Sequence, residues 1–155
     1  MTSSQQTGNQ KKRGPLTRAS HWFQRRMNVR TNEKIRRKAG KVMGMDMLIL
    51  HTVGRHSGQP RESPLTWFAD GDDARLIVAS GGGSRHPDWY FNLMAHPDKA
   101  AIEFHGQSAV PATPHVLEGA EREKAWQRIT EAQPRCAKYQ KKSERRYPVI
   151  RLTPR

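Results

Sequence analysis

The sequence predicts an α+β domain built on a small antiparallel β-barrel with flanking helices. Three observations carry this. Three apolar runs of strand length, residues 46–53, 61–69 and 74–80, follow one another with only turn residues between them. Two more, 99–106 and 107–117, read as a hairpin, and a last run lies at 147–154. Helical stretches sit between these groups in the order α-β-β-β-α-β-β-α-β, whereas a doubly wound parallel sheet alternates strand and helix throughout.

Residues 1–18 are polar, with Gly8, Gly14 and Pro15, the composition of a disordered basic tail. Residues 19–43 read as a basic amphipathic helix. Ser20 suits its N-cap and Gly40 its C-terminal stop. Trp22, Phe23, Met27 and Ile35 face away from a very basic side, so the helix either packs on the body or lies in a membrane interface. Residues 44–155 are the barrel domain. Its first strand, 46–53, is a buried run, and its second, 61–69, contains Pro64, which places that end at an edge or bulge. Asp70-Gly71-Asp72-Asp73 is a turn before the third strand. Residues 87–97 have helix length, with Pro87 suited to the first turn and Pro97 beyond the end. Residues 118–134 form a helix with acids in its first turn and Pro134 as its stop.

The formal charge of +14 is uneven. Residues 1–44 hold 12 Lys/Arg against one acid, +11, and residues 45–155 hold 16 against 13, +3. Such an arm is a solubilising extension, or a contact for nucleic acid or an anionic membrane. The lone Cys136 forms no internal disulfide, which fits a reducing cytoplasm. No apolar stretch reaches the roughly 18–20 residues of a membrane span, and the N-terminal residues lack the apolar core of a secretory leader. The seven histidines show no tight ligand spacing, so no metal site is expected.

Two loops carry chemistry. Residues 54–61, Gly-Arg-His-Ser-Gly-Gln-Pro-Arg, place Arg55, His56 and Arg61 around two glycines that permit tight turns. Arginine pairs bidentately with phosphate or carboxylate, and Ser57 and Ser63 add hydroxyls. The Gly-Lys-Ser/Thr ending of a Walker loop is missing. Alone, this segment also reads as a solvated hairpin turn. Residues 80–92 set Gly81, Gly82 and Gly83 between a strand and a helix, a junction that lets backbone approach a flat or anionic ligand.

Taken together, "TVGRHSGQPRESPL", "LIVASGGGSRHPDWYFNLMAHPD" and "YQKKSERRYPVIRLTP" resemble the deazaflavin-dependent nitroreductase family over roughly residues 44–155. The resemblance implies an actinobacterial split β-barrel of the flavin-reductase, FMN-binding-like kind, with coenzyme F420 as cofactor. It implies hydride transfer from the reduced deazaflavin to a small electrophilic acceptor, a quinone, an enone or a nitro compound. Arg55, His56, Ser57, Gly58, Gln59, Pro60 and Arg61 then hold the cofactor's phosphate and acidic tail. Ser63, Pro64 and Leu65 begin the strand under the ring, and Ser80, Gly81, Gly82 and Gly83 lie beside it. Trp89 and Asn92 fall on a matching helix. Tyr139, with Ser80 and Thr66, would hydrogen-bond the acceptor as charge develops.

The chain departs from the family at His56, where many members have lysine, and at Gly81, where some do. Thr66, Gln133 and Cys136 stand where tyrosines occur. The resemblance leaves monomer and homodimer open; the basic helix lies outside its secure part, and its own pattern gives a peripheral membrane contact at the inner face of the plasma membrane as one role. Two rival readings stand beside it: a barrel that holds F420 or another flavin-like ligand without turnover, and a binder of nucleic acid or lipid acting through the basic arm.

Overall fold

The computed structural model describes residues 28–36, 41–42, 45–81 and 83–155. Residues 28–36 are helical, here α1. The elements that follow are β1 Lys41–Val42, β2 Met45–Val53, β3 Pro60–Thr66, β4 Phe68–Asp70 and β5 Ala74–Val78. Then come α2 Asp88–Ala95, a 3-10 turn Pro97–Lys99, β6 Ala101–Glu103 and β7 Val110–Val116. The chain continues through α3 Gly119–Ala132, α4 Arg135–Lys142 and β8 Val149–Pro154.

Every strand pairing is antiparallel, and seven strands follow one path, β3-β2-β6-β7-β8-β5-β4. The short β1 pairs with the start of β2. β3 and β4 stand at the two ends of that path, yet Trp67 alone separates them in the chain. In a flat sheet those ends would lie roughly 30 Å apart, six strand spacings. One residue cannot bridge that, so the sheet curls into a split barrel until its ends approach. The single strand expected over 61–69 is therefore two, with Trp67 as the corner. The Trp67 N–H donates to the Asp46 carbonyl at 3.1 Å. Its ring meets Phe104 edge-on at 5.6 Å, and the Arg75 guanidinium lies 4.7 Å over it. Pro64 sits in β3, which pairs only with β2 among the described residues, so its missing N–H costs the sheet nothing.

Strands β5 and β8 read as continuous apolar runs because both faces are covered. Ile77, Ile150 and Leu152 point into the barrel with Leu48, Leu50, Leu93 and Ile102. Leu76 and Val149 point outward under α3, against Ala125 and Ile129 one helical turn apart. Asp70 fastens this layer: it accepts hydrogen bonds from Arg151 of β8 and Arg128 of α3.

Helix α4 has no counterpart in the sequence reading. Pro134 ends α3 and also caps α4 with φ −59°, the value a first helical turn requires. Lys41 and Val42, expected in the N-terminal helix, form β1 instead. Of the two placements considered for that helix, its described part takes the first. Ile35 and Asn32 are buried, and Arg36 binds Glu103 at 2.7 and 3.1 Å and Glu62 at 3.0 Å. The tail 1–18 and the helix start at 19–27 lie outside the described residues. No described helix is long and apolar enough to cross a membrane.

Leu50→Ala opens a cavity in the fully buried barrel core and is expected to lower unfolding free energy by about 2–5 kcal/mol in urea titrations. Burial raises the Asp70 pKa, but hydrogen bonds from Arg151 and Arg128 outweigh it and hold the carboxyl below its ordinary value. A depressed folded pKa gives stability present above the unfolded value and lost as pH falls through the folded one. Asp70→Asn is therefore expected to cost about 1–3 kcal/mol at pH 7, a difference that shrinks below about pH 4 in pH-resolved melts.

Candidate functional site

One cavity of about 850 Å³ runs along the β2–β3 hairpin. That volume suits a cofactor-sized ligand. Its wall includes Arg55, His56, Ser57, Arg61, Ser63, Pro64, Leu65, Thr66, Ser80, Gly81, Trp89, Asn92 and Tyr139. Most of the expected site residues therefore share one space. Gly58, Gln59, Pro60 and Gly83 are not on the wall, and Gly82 lies outside the described residues.

The hairpin gives the cavity a polarity. Val53 pairs with Pro60 at the turn, and Met47 pairs with Thr66 at the other end, six residues or roughly 20 Å away. The turn end carries Arg55, His56, Ser57 and Arg61; the far end carries Met45, Met47 and Phe68. As the edge of the sheet, β3 turns alternate backbone N–H and C=O groups away from β2, leaving them available to a ligand.

The turn is closed by Gly58 N–H to the Gly54 carbonyl and Gly54 N–H to the Gln59 carbonyl, both 2.8 Å. Gly58 has φ +67°, which favours glycine. At Gly54 a Cβ would fall 2.5 Å from Ser57 Oγ. Ser57 Oγ accepts from Gln59 N–H at 3.2 Å and from Arg61 at 3.4 Å. Its own proton is left to donate, which suits an anion. Gln59 and Pro60 thus act on the turn rather than on the cavity, Pro60 through its carbonyl to Arg61 at 3.2 Å.

Arg55 and Asn92, both on the wall, are also bonded to each other. The buried Asn92 Oδ1 accepts from the Arg55 backbone N–H at 3.0 Å and from its guanidinium at 3.1 Å. Asp88 takes a third bond at 3.4 Å. Asn92 therefore pins the turn to α2, and Arg55 acts first as the clamp. Arg61 makes no carboxylate bond among the described residues, so it is the better-placed cation.

The three hydroxyls expected at the acceptor all line the cavity. Tyr139 is half-exposed on α4, and Thr66 directs its hydroxyl to Met47 Sδ at 3.2 Å. Residues missed in the sequence also line it: Met45 and Met47 on β2, Val78 on β5, Asn28 on α1 and Arg135 on α4. The methionines belong to a run that signals only core. Arg135 follows an unassigned helix start. Cys136 also lines the wall; burial pushes its thiol pKa up, which keeps it a thiol rather than a nucleophilic thiolate.

The fold also brings together groups that sequence spacing kept apart. His51, Glu62 and Glu103 place donor atoms within 4.8 Å of one another. Arg36 occupies both carboxylates, and its hydrogen bond holds the Glu103 pKa below its ordinary value against burial. This is an ion-pair cluster that anchors α1.

A mixed wall of this kind, cationic at one end and apolar at the other beside an open strand edge, fits an elongated ligand with a flat ring and an anionic tail. The comparisons agree. The model of the F420H(2)-dependent quinone reductase family matches residues 16–154. An F420H(2)-dependent quinone reductase of Mycobacterium tuberculosis is 34% identical over 149 residues, 88% of this chain and 98% of that protein. Among solved structures, an F420-H2 dependent reductase, FDR-A, is 37% identical with a TM-score of 0.59, over 68% of this chain and 92% of its own. A domain-swapped dimer is 31% identical with a TM-score of 0.61, over 90% and 99%. On the cavity, the split barrel and this match across most of its length, the chain belongs to the F420H(2)-dependent quinone reductase family.

Proposed function

We propose that this chain binds coenzyme F420 and passes a hydride from F420H2 to a small electrophilic acceptor, a quinone first and an enone or nitro compound beside it. The observation that supports it is the single cavity running from the Arg55–Arg61 turn to the Met45–Met47 end of one hairpin. Residues 45–155 supply that wall except for Asn28, so the barrel is the cofactor domain and the N-terminal helix an accessory to it.

When bound, the reduced deazaflavin supplies the hydride. The residues do the rest. Arg61, His56 and Ser57 hold the anionic tail, with Arg55 keeping their turn on α2. Ser63, Pro64 and Leu65 offer a strand edge to the ring, and Met47 and Val78 exclude water around it. Ser80 and Tyr139 present hydroxyls to the acceptor oxygen, where negative charge grows. Tyr139 hydrogen-bonds that oxygen while solvent water supplies the proton.

The test is separate titration with F420 and with flavin mononucleotide, followed by oxidation of F420H2 with a naphthoquinone. Tight F420 binding with quinone-dependent oxidation is expected. Preference for flavin mononucleotide would reject the cofactor, and F420 binding without turnover on quinone, enone or nitro acceptors would favour a holding protein. Arg61→Ala is expected to weaken F420 affinity by about tenfold or more with an unchanged melting temperature. Arg55→Ala, which also frees the turn from Asn92, is expected to lower both affinity and melting temperature.

A further inference from the structure

The glycine-rich loop is held from behind by one side chain. Arg145, in the link from α4 to β8, is not part of the cavity wall, yet its guanidinium reaches the loop that is. Nη1 donates to the Ala79 carbonyl at 2.9 Å and to His86 Nδ1 at 2.7 Å. Nη2 donates to the carbonyls of Gly81 at 3.0 Å and Ser80 at 3.3 Å. Nε lies 3.5 Å from the Gly83 carbonyl. A guanidinium has five N–H donors in a planar fork, and each here has an acceptor.

Arginine accepts no hydrogen bond, so His86 Nδ1 must be the acceptor and the imidazole neutral, with its proton on Nε2. Its surroundings keep it so. Burial and then the Arg145 charge lower its pKa. The groove on its other side adds Arg122, Arg146 and a single carboxylate, Glu118, besides the phenols of Tyr90 and Tyr147.

We propose that Arg145 is a positioning residue for F420 binding: with neutral His86 it sets residues 79–81 in the cofactor-ready conformation, and protonation of His86 releases them. The proposal rests on the F420 reading. Three carbonyls turned to one cation fix the peptide planes of a segment whose Ser80 and Gly81 line the cavity. Gly81, first of three consecutive glycines in the sequence, otherwise gives that segment a wider choice of conformers, and ordering it on binding would cost affinity. Protonation places a hydrogen on Nδ1 against the Arg145 donor, so that bond is lost and two cations face each other.

Arg145→Lys keeps the charge and loses the fork. With a wild-type-like melt, it is expected to weaken F420 binding about tenfold at pH 8, and wild-type affinity at pH 8 would overturn the proposal. His86→Asn keeps an acceptor oxygen that does not titrate. Because the His86 pKa is lowered, wild-type affinity is expected to hold at neutral pH and to fall only below about pH 6.5, whereas that of His86→Asn holds. Matching acid limbs in the two proteins would overturn the His86 part. Cofactor-free protein gives an independent readout. Nitrogen NMR is expected to show the Nε2–H tautomer of His86 in wild type, and amide exchange at 79–81 to quicken in Arg145→Lys. Unchanged exchange would overturn the proposal whether or not F420 binds, whereas wild-type protein that keeps the tautomer and fails to bind F420 would overturn the functional reading instead.

Discussion

The corner at Trp67 is the constraint from which the rest of the molecule follows. Two strands that end a seven-strand path are consecutive in the chain, so the sheet has to curl. Curling separates an inner face, filled by Leu48, Leu50, Ile77 and Ile150, from an outer one that α3 must cover. It also leaves β3 with a single partner among the described residues. An edge strand normally invites aggregation and is blunted or covered. Here Pro64 interrupts its donors, and the cavity lies along it. The strand that closes the barrel is thus also the one with backbone to offer a ligand.

The cationic turn shows how little of a site is free to bind. Of the side chains in residues 54–61, Arg55 is engaged with Asn92 and Asp88. Ser57 has its acceptor capacity filled from Gln59 and Arg61. Those internal bonds fix the loop before any ligand arrives, so the ordering cost is met in folding rather than in binding. Gly54 is needed because Ser57 folds back over it, and the same bend brings Arg61 within reach of that hydroxyl.

Much of this was legible in residues that do one thing. Apolar runs of strand length, turn residues and Pro64 located strands and the edge, and residues of the two glycine-bearing loops line the cavity. What stayed hidden depends on contacts between distant segments. Trp67 reads as one more strand residue until the pairing shows that its neighbours belong to opposite ends. Pro134 reads as a stop, because a proline that ends one helix and starts another looks identical in one dimension. Arg145 sits in a basic run, Ser-Glu-Arg-Arg, where nothing distinguishes it from Arg146. Yet among the described residues Arg146 bonds Glu123, while Arg145 gathers loop carbonyls 64–66 residues away. His51, Glu62 and Glu103 lie on three strands and meet only through register.

The groups that α4 brings to the cavity wall also constrain the chemistry. Helix α4 places Arg135 and Tyr139, four residues apart, on one face with Cys136 beside them. That face is anchored to the turn carrying Arg145: Gln140 donates to the Arg145 carbonyl at 2.9 Å, and the Tyr147 hydroxyl to the Tyr139 carbonyl at 3.1 Å. The α4 wall and residues 79–81 are therefore set by one short segment. The carboxylates on the wall, Glu62 and Asp88, are paired with Arg36 and Arg55. Burial keeps Cys136 a thiol. A wall whose described carboxylates are engaged in ion pairs suits an acceptor whose reduced form is a stable anion. A quinone taking up a hydride gives a hydroquinone anion with its charge on oxygen, where hydroxyl donors suffice and protonation can wait for water.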